Sequence, residues 1–132
     1  MGPKLATLFE EGQVAGCCWD PAGRITICEH RFKEFEPSIL VCEYNTDKYG
    51  YFDNTNQVFA TGIKVWPPCP IMAYLLMAQR TELALEGASI LELGAGVGLL
   101  GIVAICLGAA HVAITEINDL CRNAIAVNLT LN

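Results

Sequence analysis

Residues 90–101, ILELGAGVGLLG, constrain this chain more than any other stretch. Ile90, Leu91, Glu92 and Leu93 suit a short buried strand. The run then breaks into Gly94, Gly96 and Gly98 and resumes as Leu99, Leu100, Gly101, Ile102, Val103 and Ala104 with no further turn signal. That order is strand, tight glycine loop, helix. Glycine reaches backbone angles barred to other residues and lets a ligand approach the main chain. The helix that follows directs its free N–H groups and positive dipole end at the same place.

Gly108 is placed to end that helix, and residues 111–115 (HVAIT) form a β-branched run that stops at an acid, Glu116. A carboxylate at the tip of the second strand of a βαβ unit, about 20 residues past the glycines, can accept hydrogen bonds from both hydroxyls of a ribose. The ligand is therefore expected to carry a nucleoside. Gly96, Gly98 and Gly101 fit the dinucleotide spacing G-x-G-x-x-G, while Glu92, Gly94, Gly96 and Gly98 fit the E-x-G-x-G-x-G pattern of S-adenosylmethionine (AdoMet) enzymes. Glu92 decides between them. An acid beside a pyrophosphate is unfavourable, whereas it suits a ligand that carries an ammonium and a sulfonium. AdoMet is favoured over NAD.

With 132 residues, 53% of them hydrophobic and 17% charged, the chain has the makings of one globular core. Its net charge of −6 disfavours direct DNA or RNA binding and suits a basic protein or peptide partner. The seven cysteines (Cys17, Cys18, Cys28, Cys42, Cys69, Cys106, Cys121) make no C-x-x-C pair and read as reduced, apolar thiols. No signal-peptide core is present in the first residues, so a cytoplasmic or nuclear location is expected. Residues 93–115 carry no permanent charge over a length that could cross a bilayer, but five glycines interrupt them, Glu92 and Glu116 bracket them, and neither flank is basic. No membrane span is expected there.

From the start of the chain, residues 1–15 read as a loose arm or short helix anchored by Leu5, Leu8 and Phe9. Residues 24–28 (RITIC) and 38–44 (SILVCEY) are strand candidates, with a third over 57–59, so a small β hairpin or meander is expected before the glycine-rich part. Pro70 is expected to open a helix over residues 71–80. Trp66, just ahead of it, reads from pattern alone as a core anchor, with a cofactor contact as the alternative. A last helix carries an apolar stripe of Leu120, Ala124, Val127 and Leu131, with Asn118 or Asp119 as its N-cap; Asn128 and Asn132 fall beside the stripe as structural hydrogen-bonders. His30 and His111 have no Cys or acid at ligand spacing, and no metal is expected.

The order of these parts resembles the seven-stranded (class I) AdoMet-dependent protein methyltransferases, a family that includes protein-lysine methyltransferases of the methyltransferase-like 21 type. The residues that carry the resemblance are Gly62 to Trp66, the block ELGAGVGLLGI, HVAITE, and Asn128 with Asn132, over roughly residues 58–132. By position, the resemblance implies that Trp66 lines the AdoMet pocket, that Glu92, Gly94, Ala95 and Gly96 embrace the methionine part, that Glu116 holds the ribose and that Ile117 lies against the adenine. Two departures stand out: Pro67 and Pro68 follow Trp66 where the family has an acid and small residues, and Glu116 stands where Asp is commoner.

The fold implied is α/β and Rossmann-like, N-terminal portion only, with residues 1–57 as an extension bearing the hairpin and residues 58–132 as the AdoMet-binding part. Seven strands at about 30 residues per βα unit need roughly 200 residues, so the chain is expected to be an incomplete form that stops after the second unit. The function implied is AdoMet-dependent methylation of a lysine side chain in a protein substrate. The alternatives are a catalytically inactive interaction module and an NAD-binding oxidoreductase fragment.

Overall fold

A computed structural model describes residues 25–33, 35–44 and 61–132. The arm at 1–15 and the strand candidate at 57–59 lie outside them. The described part is a mixed α/β arrangement, in chain order β1 (Ile25–Phe32), β2 (Phe35–Tyr44), α1 (Pro68–Ala78), β3 (Ser89–Leu93), α2 (Leu99–Cys106), β4 (His111–Thr115) and α3 (Asp119–Leu131).

β3 and β4 pair in parallel, in register from Ser89 opposite His111 to Leu93 opposite Thr115, with α2 as their connection. Along both strands side chains alternate: Ile90, Glu92, Val112 and Ile114 are half-buried, while Leu91, Leu93, Ala113 and Thr115 on the other face are exposed. α2 lies on the first face, and it is apolar nearly all round because Leu99, Gly101, Ile102, Val103 and Ala104 are all buried. Gly101 sets the closeness of that packing: a Cβ there would stand 2.5 Å from the Cδ1 of Ile114. The uncharged run at 93–115 is thus divided between a turn, a helix and a strand, and among the described residues no helix is long and apolar enough to cross a membrane.

β1 and β2 form an antiparallel hairpin, Ile25 opposite Tyr44 through Phe32 opposite Phe35, with a register shift between His30 and Phe32. Both strands run further toward the turn than expected, because the alternation of half-buried His30 and Phe32 with exposed Glu29 and Arg31 continues the pleat through polar residues. Ile39, Val41 and Tyr44 of β2 join one core with Ile63, Ala73, Val97, Leu99, Ile102, Val103, Cys121 and Ala124. The hairpin is held by its outer edge: the Leu40 and Cys42 N–H groups donate to the side chains of Asn132 and Asn128, and the Tyr44 N–H donates to the Ile63 carbonyl.

Helix α1 begins at Pro68, three residues before the expected start. Pro68 and Pro70 both fall in the first turn, where backbone N–H groups have no partner within the helix and a fixed φ near −65° is already helical. In α3 the buried face centres on Cys121, Ala124, Ile125, Val127 and Asn128. Asn128 therefore sits in the middle of the apolar stripe, not beside it, and is fully buried. The five described cysteines are free thiols, with Cys42 and Cys121 buried.

Candidate functional site

The turn between β3 and α2 is built from residues that reach conformations other side chains rarely adopt, and it is fastened from several directions. Gly94, Gly96 and Gly98 all have positive φ, at 64°, 58° and 83°. At Gly96 a close approach adds to the requirement: a Cβ would lie 2.8 Å from the carbonyl oxygen of Gly62. Gly62 answers in kind, since a Cβ on it would meet the Gly96 Cα at 3.3 Å and the Cys121 Sγ at 3.1 Å. Burial, then the nearby Glu116 charge, pushes the Cys121 thiol up to about 11, so it stays neutral and serves as packing under the turn.

Main-chain hydrogen bonds fix the turn against the tip of β4. Ala95 N–H donates to the Thr115 carbonyl at 3.0 Å, and Gly98 N–H to the Ala95 carbonyl at 2.9 Å. The Gly96 N–H donates to Glu116 Oε2 at 2.8 Å. The other oxygen of Glu116 accepts from Ile117 N–H at 2.7 Å and Asn118 N–H at 3.0 Å. Partial burial pushes this carboxyl up, but the N–H donors of Asn118, Gly96 and Ile117 together with Arg122 outweigh it and hold the group below the usual carboxylate range. Arg122 also donates to the Glu116 and Ile117 carbonyls, at 3.1 and 2.8 Å, and pairs with Asp119. Asn118 caps α3, accepting from the Leu120 and Cys121 N–H groups.

Glu92 points from β3 toward the start of α2, whose N-cap, Gly98, has no side chain to offer. Burial raises the Glu92 carboxyl above its ordinary value, and the Gly101 N–H, one of the unpartnered donors of the first helical turn, partly offsets that. Its Oε2 is buried and makes no hydrogen bond. An ammonium is the kind of partner such an oxygen lacks.

These groups surround a cleft of about 510 Å³ at the C-terminal ends of β3 and β4. Trp66, Glu92, Gly94, Ala95, Gly96, Glu116 and Ile117 all line it. Trp66 is 53% exposed, so the core-anchor reading of its pattern does not hold: it stands at the cleft wall just before α1, its indole N–H donating to the Thr61 carbonyl. Ile117, 80% exposed, forms part of the rim. Lining residues that sequence reasoning did not assign include Gly62, Lys64, Cys69 and Asn118. Glu43 does not line the cleft but supports it, since its Oε1 accepts from the Val65 N–H at 2.9 Å and so steadies the segment that carries Trp66. No local spacing connects Glu43 with Val65; only the hairpin's docking brings them together. Among the described residues no three His, Cys, Asp or Glu side chains cluster as metal ligands.

A family model described as lysine methyltransferase matches residues 51–132. Over 62 residues, 47% of the chain, the sequence is 39% identical to the protein-lysine methyltransferase METTL21E of Bos taurus, covering 21% of that protein. It is 37% identical, again over 62 residues and 47% of the chain, to a Homo sapiens sequence described as a methyltransferase-like protein 21E pseudogene, covering 22% of it. The match thus spans about a fifth of the length of these curated relatives.

Proposed function

This chain belongs to the lysine methyltransferase family, and from that premise we propose that its cleft is an AdoMet site serving methyl transfer to a lysine side chain of a protein. The β3–α2–β4 unit is then the first part of a Rossmann-like sheet, and the cytoplasm, with the nucleus second, is the compartment proposed. One observation supports the reading above the rest: the carboxylate at the tip of β4 meets the glycine turn, Glu116 Oε2 lying 2.8 Å from the Gly96 nitrogen.

The donor set fits the cofactor. Glu92 would face the methionine ammonium, Lys64 on the wall complements a carboxylate, and Trp66 and Ile117 offer apolar surface to the sulfonium side and the adenine. Glu116 would take the ribose. Three of its roughly four lone-pair positions already accept backbone N–H groups, so it has room for about one hydroxyl, where the sequence pattern suggested two. AdoMet supplies an electrophilic methyl group on sulfur. The acceptor lysine must arrive neutral, because an ammonium with a pKa near 10.4 has no lone pair, and removing it from water favours that form. The net charge of −6 suits a basic target segment.

The test is transfer of labelled methyl from AdoMet to proteins in a lysate, with Gly96→Arg beside the wild type. The side chain introduced at Gly96 collides with the Gly62 carbonyl, so labelling is expected with the wild type and not with the variant. Binding of AdoMet without any transfer would favour the inactive interaction module instead.

A further inference from the structure

We propose that Asn128 is a positioning residue for the cofactor turn, tying the Val97 carbonyl to the edge of β2 so that docking of the hairpin and ordering of the turn are coupled. Its ligand-binding consequence rests on the AdoMet reading of the cleft; its structural consequence does not.

Between its pairings with β1, strand β2 offers outward peptide groups at alternate residues, Leu40 and Cys42. On α3, Asn128 and Asn132 stand one turn apart. A helical turn of four residues rises about 6 Å, and two strand residues advance about 6.6 Å, so the asparagine amides meet successive outward peptides. Each amide offers an acceptor and two donors and can therefore complement a peptide unit as a neighbouring strand does. Asn132 Oδ1 accepts from Leu40 N–H at 2.9 Å and its Nδ2 donates to the Leu40 carbonyl at 2.8 Å. Asn128 Oδ1 accepts from Cys42 N–H at 2.6 Å, and its Nδ2 lies 3.4 Å from the Cys42 carbonyl.

The two clamps differ in their remaining bond. That of Asn132 returns to its own helix, at the Asn128 carbonyl. That of Asn128 leaves the helix and reaches the Val97 carbonyl at 2.8 Å. Val97 lies between Gly96 and Gly98, both in the left-handed region, and its carbonyl belongs to the same peptide plane as the Gly98 N–H that closes the turn on Ala95. Glycines have the most backbone freedom to lose, so a turn made of them needs restraint from outside. Asn128 supplies it from a fully buried position.

The test compares Asn128→Asp with Asn132→Asp in the whole chain. Each variant keeps the acceptor for its strand N–H and loses the donor. Two quantities are read: amide exchange at Gly98 by NMR, and the affinity for S-adenosylhomocysteine by calorimetry. Both variants should melt earlier, but only N128D should speed Gly98 exchange and weaken the ligand, each about tenfold, the factor that one net hydrogen bond carries. Equal acceleration in the two variants, or none in N128D, overturns the proposal. If the wild type binds no S-adenosylhomocysteine at millimolar concentration, the AdoMet reading fails while Gly98 exchange still decides the role of Asn128. Where N128D does not fold, Asn128→Ser takes its place. In the wild type, added ligand should slow exchange at Cys42 and not at Leu40, because coupling is reciprocal; equal protection at both would again overturn it.

Discussion

At the scale of single residues, the cleft's two carboxylates are held in opposite ways, and that difference has a pH signature. Glu92 is raised by burial, so it binds its proton more tightly folded than unfolded. Stability is then lost as pH rises from about 4.3, the unfolded value, through the raised folded value. Glu116 is lowered, so it stabilises above about 4.3 and that contribution is lost as pH falls through its folded value. Glu92→Gln carries no such loss, and thermal melts from pH 4 to pH 8 should show it gaining on the wild type as pH rises. Parallel profiles would contradict the burial of Glu92. Gly101 gives a steric prediction. A Cβ there stands 2.5 Å from Ile114 Cδ1 and 2.6 Å from Glu92 Oε2. Overpacking of about 1–3 kcal/mol should then exceed the gain of up to about 1 kcal/mol from replacing a helical glycine. Denaturant unfolding of Gly101→Ala should show net destabilisation that Ile114→Val, which removes the Cδ1, partly relieves.

At the scale of elements, the sequence was most legible where one physical rule acted alone. The expected strand at 111–115 and the helix start at Leu99 stand in the structure because β-branched alternation and a glycine turn leave little competition. Gly108, at φ 89°, stands just past the end of α2. Helix α1 starts ahead of the expected opening at Pro70 because Pro68 fits a first turn equally well, and the sequence holds nothing to choose between them. Hairpin length was underread because Glu29, His30 and Arg31 extend a strand without apolar markers. The role of Asn128 as a structural hydrogen-bonder was legible, but its partners at Cys42 and Val97, distant in sequence, were not. For α3 itself, Asn118→Ala should cost about 1 kcal/mol in denaturant unfolding, the usual worth of a side-chain N-cap, and Asn118→Asp should retain most of it. An unchanged midpoint in the alanine variant would remove the cap from the account.

At the scale of the whole molecule, α2 is enclosed by the sheet, α1 and β2, while the opposite face of the parallel pair presents Leu91 at 62% and Leu93 at 75% exposure. At the other end of the same strands lies the site proposed to cradle a sulfonium nucleoside, between the glycine turn and Glu116. That role is tested most directly by following the backbone amide resonances of Gly96, Ile117 and Asn118 during titration with S-adenosylhomocysteine and, separately, with NADH. Saturable shifts are expected at all three amides with S-adenosylhomocysteine and none with NADH; unmoved resonances, or the same shifts with both ligands, would rule the cradle out.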